Sequence, residues 1–359
     1  MGPGSLAELT HIAGNYDAGL ALVITDPGVS TTDIPMRVCG FLETAGFRPM
    51  VLLDVAPNPR VADVDRMAES ARPERPSIVV AVGGGSVLDA GKGVALLLTN
   101  PGSCADYEGR DKFGRPAAPL IAIPTTCGTG SEVTWVSVLS HTEQRRKISV
   151  KGDGLFPDWA IVDSDLLKTL PAHLVASTGM DAATHAIEAF VGKAANPASD
   201  ELAAAALRLI CGHIEGAVSD IEGNHEDRDA VMRGSTLAGM AFGNADVGGV
   251  HCLSEAIGGR HDLPHGLLNA ALLVPVLRYH GEAAAARLLE IGRLSGIDDV
   301  LARLEALCAA VGIPAFGALG VPEDDFASIA AEAEANGSNA SNPRVMRAVD
   351  YLTVLRGLV

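Results

Sequence analysis

The pattern of apolar residues changes near residue 170, and this change restricts the possible folds more than any other feature. Before it, amphipathic stretches alternate with short continuous apolar runs, which are Leu20–Thr25, Pro49–Leu53, Ser77–Val82, Leu120–Ile123 and Trp159–Val162. Apolar strands separated by helices are typical of a parallel sheet that is covered on both faces. After it, alanine-rich helical segments follow one another without strand alternation. The sequence therefore predicts an α/β domain over 1–169 and an all-α domain over 170–359.

Charge and cysteine usage narrow the class of protein. The chain has 27 Lys and Arg against 44 Asp and Glu, a formal net charge of −17. Such a charge repels the phosphates of nucleic acids and of acidic membrane surfaces. The six cysteines are scattered, with no C-x-x-C pair, and neither a signal peptide nor a membrane span stands out. We therefore expect a cytoplasmic protein with no nucleic-acid partner and no membrane partner.

Two loops that follow predicted strands can receive phosphate groups. Gly83–Ser86 comes directly after the third strand and precedes a helix, so free backbone N–H groups and a helix N-terminus meet there. The spacing is neither G-x-G-x-x-G nor a Walker A motif, and a tight turn explains it equally well. Pro124–Glu132 follows the fourth strand with three threonines and two glycines, and helix capping is its alternative interpretation.

Two polar residues in turns have the same kind of ambiguity. Asp26 ends the first predicted strand, where a carboxylate can bind ribose hydroxyls and repel a 2′-phosphate. An ordinary turn aspartate before Pro27 is the simpler alternative. Asn58, between two prolines, is either a ligand contact or a turn residue.

The helical half contains residues that are typical of a metal site. Asp181 and His185 are four residues apart on a predicted helix, so both lie on one face, one turn apart. His251 and His265 follow in segments that begin helices. One carboxylate and three imidazoles suit Fe²⁺ or Zn²⁺, whereas Ca²⁺ requires more oxygens. Any single histidine is more often an ordinary core or surface residue, so these residues leave metal binding open.

Taken together and in order, these segments resemble the iron-containing (group III) alcohol dehydrogenases. The resemblance runs from about residue 4 to the C-terminus and rests on Thr25-Asp26, Pro57–Pro59, Gly83–Ser86, Asp89, Lys92, Asn100–Gly102, Asp106-Tyr107, Pro124–Thr134, Gly179–Glu188, His251–Asn269 and Asn342–Arg344. It implies an N-terminal α/β nucleotide-binding domain with a parallel sheet and an all-α C-terminal metal-binding domain, the architecture shared with dehydroquinate synthases. It also implies an active site in the cleft between the domains.

The resemblance further implies roles for individual residues. The positions of the four metal ligands are Asp181, His185, His251 and His265. The positions that contact the dinucleotide are Asp26, Asn58, Gly85, Ser86, Thr125, Thr126, Thr129, Thr134, Val138 and Lys147. Asp26 favours NAD over NADP. The implied activity is hydride transfer between NAD(H) and a small alcohol or aldehyde, with Fe²⁺ or Zn²⁺ polarising the substrate oxygen in a homodimeric enzyme.

The chain departs from the family pattern at two places. The family usually has a second histidine four residues after the third ligand, beside the nicotinamide, and Glu255 occupies this position. Glu255 and His261 are therefore the candidates for proton transfer, with structural roles as the alternative. Glu188 shares a helix face with Asp181 and is interpreted as a partner of the ligands or a simple polar contact. The strand that precedes the family's first Gly-x-Gly turn, here Gly2–Gly4, is missing.

Several other functions stay open at this stage. Glycerol dehydrogenases and dehydroquinate synthases share the architecture but usually hold their metal with one acid and two histidines. A specialised aldehyde reductase of a biosynthetic pathway is a second possibility, because Glu255 alters the substrate site. A catalytically weak nucleotide-binding homologue is a third, and the complete set of four ligands counts against it.

Overall fold

The computed structural model describes residues 1–359 and divides into two compact units. The first unit comprises 1–126 and 131–170, and the second comprises 127–130 and 171–359. All strands belong to the first unit, while the second consists of helices and their connections. The predicted fold class, a parallel-sheet α/β domain followed by a helical domain, is confirmed.

A five-stranded parallel sheet forms the core of the first unit. Its strands are β1 (Leu20–Ile24), β2 (Arg48–Leu52), β3 (Ile78–Gly83), β5 (Leu120–Pro124) and β8 (Trp159–Ala160), and two-residue β4 (Gly109–Arg110) lies outside it. The spatial order is β2-β1-β3-β5-β8, and every pair is parallel. β1, β3 and β5 are buried along their whole length, because helices cover both faces of a parallel sheet. Each predicted apolar run therefore overlaps a strand of this sheet.

The first unit also contains a three-stranded sheet that the sequence analysis does not predict. β6 (Val136–His141) pairs antiparallel with β7 (Arg146–Lys151), and β4 adds to β7 in parallel. Buried and partly exposed residues alternate in β6 and β7, so neither strand has a continuous apolar run. The hairpin was missed because only one face of each strand is buried.

The helices of the first unit bring two loops to one edge of the main sheet. They are α1 (Leu9–Ala13), α2 (Ile34–Thr44), α3 (Val61–Ala71) and α4 (Gly85–Thr99). β3 ends at Gly83 and its neighbour β5 ends at Pro124. The glycine and threonine loops therefore leave the carboxyl ends of adjacent parallel strands, where ligands bind in open α/β sheets.

The second unit contains nine α-helices. They are α5 (Ala172–Val191), α6 (Pro197–Ser219), α7 (His225–Gly243), α8 (Gly249–His261), α9 (His265–His280), α10 (Glu282–Ser295), α11 (Val300–Ala310), α12 (Phe326–Ala335) and α13 (Ala348–Arg356). α5 is buried along most of its length and packs against α6, α7 and α9. Its Gly179 permits close packing, since a Cβ there would lie 2.6 Å from Cδ1 of Ile214 on α6.

The helix α6 is long and apolar enough to cross a membrane by length and composition alone. Core helices of water-soluble proteins pass the same test, so a single such helix is weak support for a membrane span. In this structure α6 packs against α5 and α7.

Candidate functional site

Three of the predicted metal ligands meet in the interior of the second unit. Asp181 and His185 lie one turn apart on α5, and His251 lies in the first turn of α8. All three side chains are buried, and their ligand atoms lie within 4.8 Å of one another. The i,i+4 spacing on α5 places two donors on one face, and α8 supplies the third from across the unit.

The fourth predicted ligand joins this cluster through an amide. The side-chain nitrogen Nδ2 of Asn269 lies 3.1 Å from Nε2 of His265, 3.1 Å from Nε2 of His251 and 2.6 Å from Oδ1 of Asp181. Asn269 lies four residues after His265 on α9, so the two side chains share a helix face. The structure therefore brings all four predicted ligands together. It adds Asn269, which the sequence analysis did not single out although the i,i+4 spacing was visible.

The donor atoms of the cluster fit a divalent cation. The Asn269 amide has two hydrogens but faces three acceptors, so lone pairs of oxygen and nitrogen converge on one point. Nδ1 of His185 is buried 3.9 Å from Oδ1 of Asp181 and makes no hydrogen bond. Buried imidazole nitrogens together with one carboxylate oxygen are the donor set that Fe²⁺ and Zn²⁺ accept.

Burial keeps His185 in the protonation state that binds metals. Burial lowers the pKa of His185 to about 4, against a smaller opposing effect of the Asp181 charge. The imidazole is therefore neutral near pH 7. Its ring stacks on Phe242 with centroids 4.3 Å apart and lies 4.5 Å from the ring of His251, which restricts its orientation.

Glu188 on α5 contacts His251 directly. Its Oε2 lies 2.6 Å from Nδ1 of His251, and the carboxylate also accepts the backbone N–H groups of Gly248 and Val250. Burial alone would raise the pKa of Glu188, but these hydrogen bonds outweigh burial and lower it. Burial likewise opposes the charged form of His251, but the hydrogen bond and charge of Glu188 outweigh it and raise the pKa of His251.

The two candidates for proton transfer lie on α8 with His251. Glu255 is one turn after His251 and half-buried; its Oε2 accepts a hydrogen bond of 2.7 Å from Nδ2 of Asn336, and Oε1 makes none. His261 ends the helix, and its Nε2 lies 3.0 Å from Oδ2 of Asp325. No hydrogen bond or ion pair joins His261 to the four ligands. Glu255 therefore lies one helical turn beyond a predicted ligand and accepts from Asn336, whereas His261 lies beside an acidic residue.

The glycine and threonine loops of the first unit pack against each other. Gly85 and Ser86 begin α4, whose first turn receives no side-chain cap. The backbone N–H of Thr125 donates to the carbonyl of Gly83 at 2.9 Å, and a Cβ on Gly84 would lie 3.0 Å from Cγ2 of Thr126. The structure thus brings four of the predicted dinucleotide contacts to one place, beside a helix N-terminus that can bind phosphate.

Other predicted contacts of the first unit are held by a buried network. The ammonium of Lys92 donates to Oγ1 of Thr134 at 3.1 Å and to Oγ of Ser131 at 2.8 Å. The carboxylate of Asp89 accepts from Ser131 and from the backbone N–H of Val138. Burial lowers the pKa of Lys92 to about 8, against the opposing charges of Asp89 and Glu132. Lys92 and Asp89, both part of the family pattern, therefore position Thr134 and Val138 through direct hydrogen bonds.

The remaining predicted contacts have individual settings. Nζ of Lys147 donates to Oδ1 of Asn58 at 3.0 Å, so these two residues form a pair. Asn58 has φ 53°, a left-handed conformation that asparagine tolerates better than most residues. Oδ1 of Asp26 accepts the backbone N–H of Val29 at 2.9 Å, so the turn interpretation of Asp26 holds whether or not it also contacts a ribose. Thr129 belongs to the short segment that groups with the second unit.

Comparison with known proteins gives one consistent result. The profile for "Iron-containing alcohol dehydrogenase" matches residues 1–164, and "Fe-containing alcohol dehydrogenase family, C-terminal" matches 175–359. The chain is 37% identical over 351 residues to alcohol dehydrogenase 4 of Schizosaccharomyces pombe, covering 96% of this chain and 83% of that protein. It is 37% identical over 358 residues to 1,3-propanediol dehydrogenase of Klebsiella pneumoniae, covering 96% and 92%.

Solved structures agree with the sequence relatives. A crystal structure of 1,3-propanediol oxidoreductase superimposes with a TM-score of 0.94 at 34% identity, covering 99% of this chain and 96% of the other. The structure of sulfoacetaldehyde reductase from Bifidobacterium kashiwanohense in complex with NAD⁺ superimposes with a TM-score of 0.90 at 31% identity, covering 99% and 95%. These similarities extend over both units of the chain.

Proposed function

Because the chain belongs to the iron-containing alcohol dehydrogenase family, an oxidoreductase family, we propose that it transfers hydride between NAD(H) and a small alcohol or aldehyde. Asp181, His185, His251 and His265 would hold Fe²⁺ or Zn²⁺. The bound ion would supply a Lewis acid that polarises the substrate oxygen. The observation that carries the proposal is the convergence of these four side chains around the Asn269 amide.

The residues of the chain would contribute orientation and charge. The free N–H groups at the start of α4 suit the pyrophosphate of a dinucleotide, and the glycines beside them allow close approach of the backbone. The NAD⁺ complex of the related sulfoacetaldehyde reductase supports NAD as the dinucleotide. Glu255 would hold or move a proton at Oε1, its oxygen without a hydrogen bond.

A specialised aldehyde reductase is the second candidate function. One observation favours it: a carboxylate stands one turn beyond His251, with one oxygen available to a substrate group. A glutamate in that position discriminates among substrates by their charge, because its carboxylate is negative. An imidazole, which is neutral or positive, would favour other substrates. The two candidates share the reaction and differ in the substrate.

We also propose a cytoplasmic homodimer. Two features of the chain support this proposal. All six cysteines are free thiols, as expected in a reducing compartment. Val51 on the edge strand β2 is 39% exposed and Leu53, directly after it, is 43% exposed, which suits contact with a second copy. Light scattering of the purified protein should give twice the chain mass of 36.9 kDa.

The direct test of the proposed function combines metal analysis with a substrate screen. Purified protein should contain about one Fe or Zn per chain. Reconstituted with Fe²⁺ or Zn²⁺, it should oxidise NADH in the presence of at least one aldehyde from a panel of neutral, cationic and anionic compounds. A protein that retains no metal and reduces no aldehyde, but still changes NADH fluorescence, would instead support the weak nucleotide-binding homologue.

Cofactor choice should depend on the charge of Asp26. In Asp26→Asn the side-chain oxygen can still accept the Val29 N–H, but the negative charge that repels a 2′-phosphate is gone. We expect kcat/KM for NADP⁺ relative to NAD⁺ to rise about tenfold, the equivalent of about 1.4 kcal/mol. Steady-state kinetics with both cofactors measures this ratio. An unchanged ratio with unchanged thermal stability removes Asp26 from the cofactor site.

Substrate choice should depend on Glu255. Glu255→His removes a negative charge beside His251, so kcat/KM for anionic aldehydes relative to neutral aldehydes should rise about tenfold. Competition between the two aldehydes in one assay measures the ratio. Glu332→Gln is the control, because this carboxylate pairs with Arg260 and contacts no predicted ligand. If the wild type, Glu255→His and Glu332→Gln give the same ratio, Glu255 does not determine substrate choice.

A further inference from the structure

Both carboxylate oxygens of Glu188 accept hydrogen bonds from groups at the start of α8. Glu188 is 3% exposed. Oε2 accepts from Nδ1 of His251 at 2.6 Å and from the backbone N–H of Gly248 at 2.9 Å, while Oε1 accepts from the backbone N–H of Val250 at 2.7 Å. A buried carboxylate is stable only when its oxygens are paired in this way.

The hydrogen bonds of His251 define which ring nitrogen carries the proton. Nε2 lies 3.1 Å from Nδ2 of Asn269, which can only donate, so Nε2 is an acceptor. In the neutral ring, Nδ1 therefore bears the hydrogen and donates it to Glu188. The lone pair of Nε2 is directed toward the point where the Asn269 amide also meets Asp181, which is where the predicted ligands converge.

The backbone around the carboxylate is built for this close approach. A Cβ on Gly248 would lie 3.0 Å from Oε1 of Glu188 and 3.0 Å from Oδ1 of Asn342, so a larger residue would crowd both. No side chain of α8 itself caps the helix start. The charge of Glu188 satisfies N–H groups that a helix N-terminus leaves unpaired. One carboxylate thus anchors the helix and orients a ligand carried in its first turn.

We propose that Glu188 is a positioning residue for the metal centre: it fixes the Nδ1–H form of His251 and directs Nε2 toward the cation. This inference rests on the proposed function, because it concerns the same metal. Glu188 acts only through His251 and contacts neither substrate nor cofactor. Its location on α5 also ties the His251 helix to the helix that carries Asp181 and His185.

The test measures metal affinity in the holoenzyme with Co²⁺ as the probe metal. In Glu188→Gln only one oxygen remains to accept, and the amide NH₂ would face a backbone donor. Competition with a chelator should show Co²⁺ binding weakened by about 10- to 100-fold. The visible absorption spectrum of the Co²⁺ protein should change as well, because the orientation and basicity of one imidazole ligand change.

The matched control is Asp299→Ala. Oδ1 of Asp299 accepts the backbone N–H of Ala302 and caps α11, so its loss should destabilise a helix start in the same unit by about 1 kcal/mol. This control should leave the Co²⁺ dissociation constant and spectrum as in the wild type. A purely structural role for Glu188 would make Glu188→Gln behave like this control.

The outcomes separate the two proposals. A wild type that binds Co²⁺ and a Glu188→Gln protein with the same constant, within twofold, and the same spectrum would overturn the role of Glu188 alone. A wild type that binds no Co²⁺ would overturn the proposed function itself. Should Glu188→Gln not fold, Glu188→Asp takes its place: its shorter side chain cannot reach His251 and Val250 together. An unchanged constant and spectrum in Glu188→Asp would then reject the proposal.

Discussion

Replacing His265 by alanine should abolish metal retention and lower turnover at least about 100-fold, because one of four donors to the proposed cation is lost. His265 begins α9, and its Nε2 lies 3.1 Å from the amide that links it to Asp181 and His251. Elemental analysis of purified protein and NADH-dependent aldehyde reduction measure the two effects. Chelator should lower the melting temperature of the wild type but not of the variant, since only the wild type has metal to lose.

The control for this experiment is His213→Ala. His213 lies on α6 and pairs with Asp227 through Nδ1, away from the four ligands. The His213→Ala protein should keep its metal content and its turnover. That result would show that losing one histidine from this unit does not by itself release the metal or stop turnover. Normal turnover by metal-free His265→Ala protein would contradict the proposed metal chemistry.

The second large effect is expected from Lys92→Met in the first unit. Lys92 is completely buried, and its ammonium donates to Ser131, Thr134 and the carbonyl of Val136. Removing this cation leaves the carboxylates of Asp89 and Glu132 without its compensating charge. Leaving these carboxylates without the buried cation should lower the free energy of unfolding by about 3–5 kcal/mol. Urea unfolding measures this loss.

The same substitution should weaken dinucleotide binding. Lys92 and Asp89 hold Thr134 and Val138, two predicted contacts, so their segment loses its support. We expect the dissociation constant for NADH, measured by fluorescence, to rise about tenfold. Lys168→Met is the control, because Lys168 forms a partly exposed pair with Asp165 and should change stability by less than about 1 kcal/mol. Equal stability of the two variants would show that the buried network does not support the loop.

Residues close in sequence account for most of what could be predicted. The continuous apolar strands of the main sheet and the alanine-rich helices are visible in short windows, because strand burial and helix propensity act over a few residues. The pair Asp181 and His185 was visible for the same reason, since one helical turn sets its geometry. The β6–β7 hairpin has only one buried face per strand, so its alternation is a weaker signal than a continuous apolar run.

The contacts within the candidate site could not be predicted from residues that are close in sequence. The distances from His251 and His265 to the α5 ligands cannot be obtained from spacing, and their assignment came from the family resemblance. Glu188 was ambiguous because its partner lies 63 residues away in the chain. Asn269 was not singled out because its contact with Asp181 spans 88 residues. Lys92 reaches Ser131 and Thr134 across 39 and 42 residues.

Composition, periodicity and short-range spacing were thus sufficient for the two fold classes, the strands of the main sheet and the candidate ligand types. They could not show which buried charges meet, because an ion pair or ligand cluster forms wherever packing brings distant helices together. Packing of α5 against α9, and the hydrogen bonds from the start of α8 to Glu188, decided the partners of Asp181 and His251. Burial made those partners obligatory, since a charged group removed from water must find a counterpart within the protein.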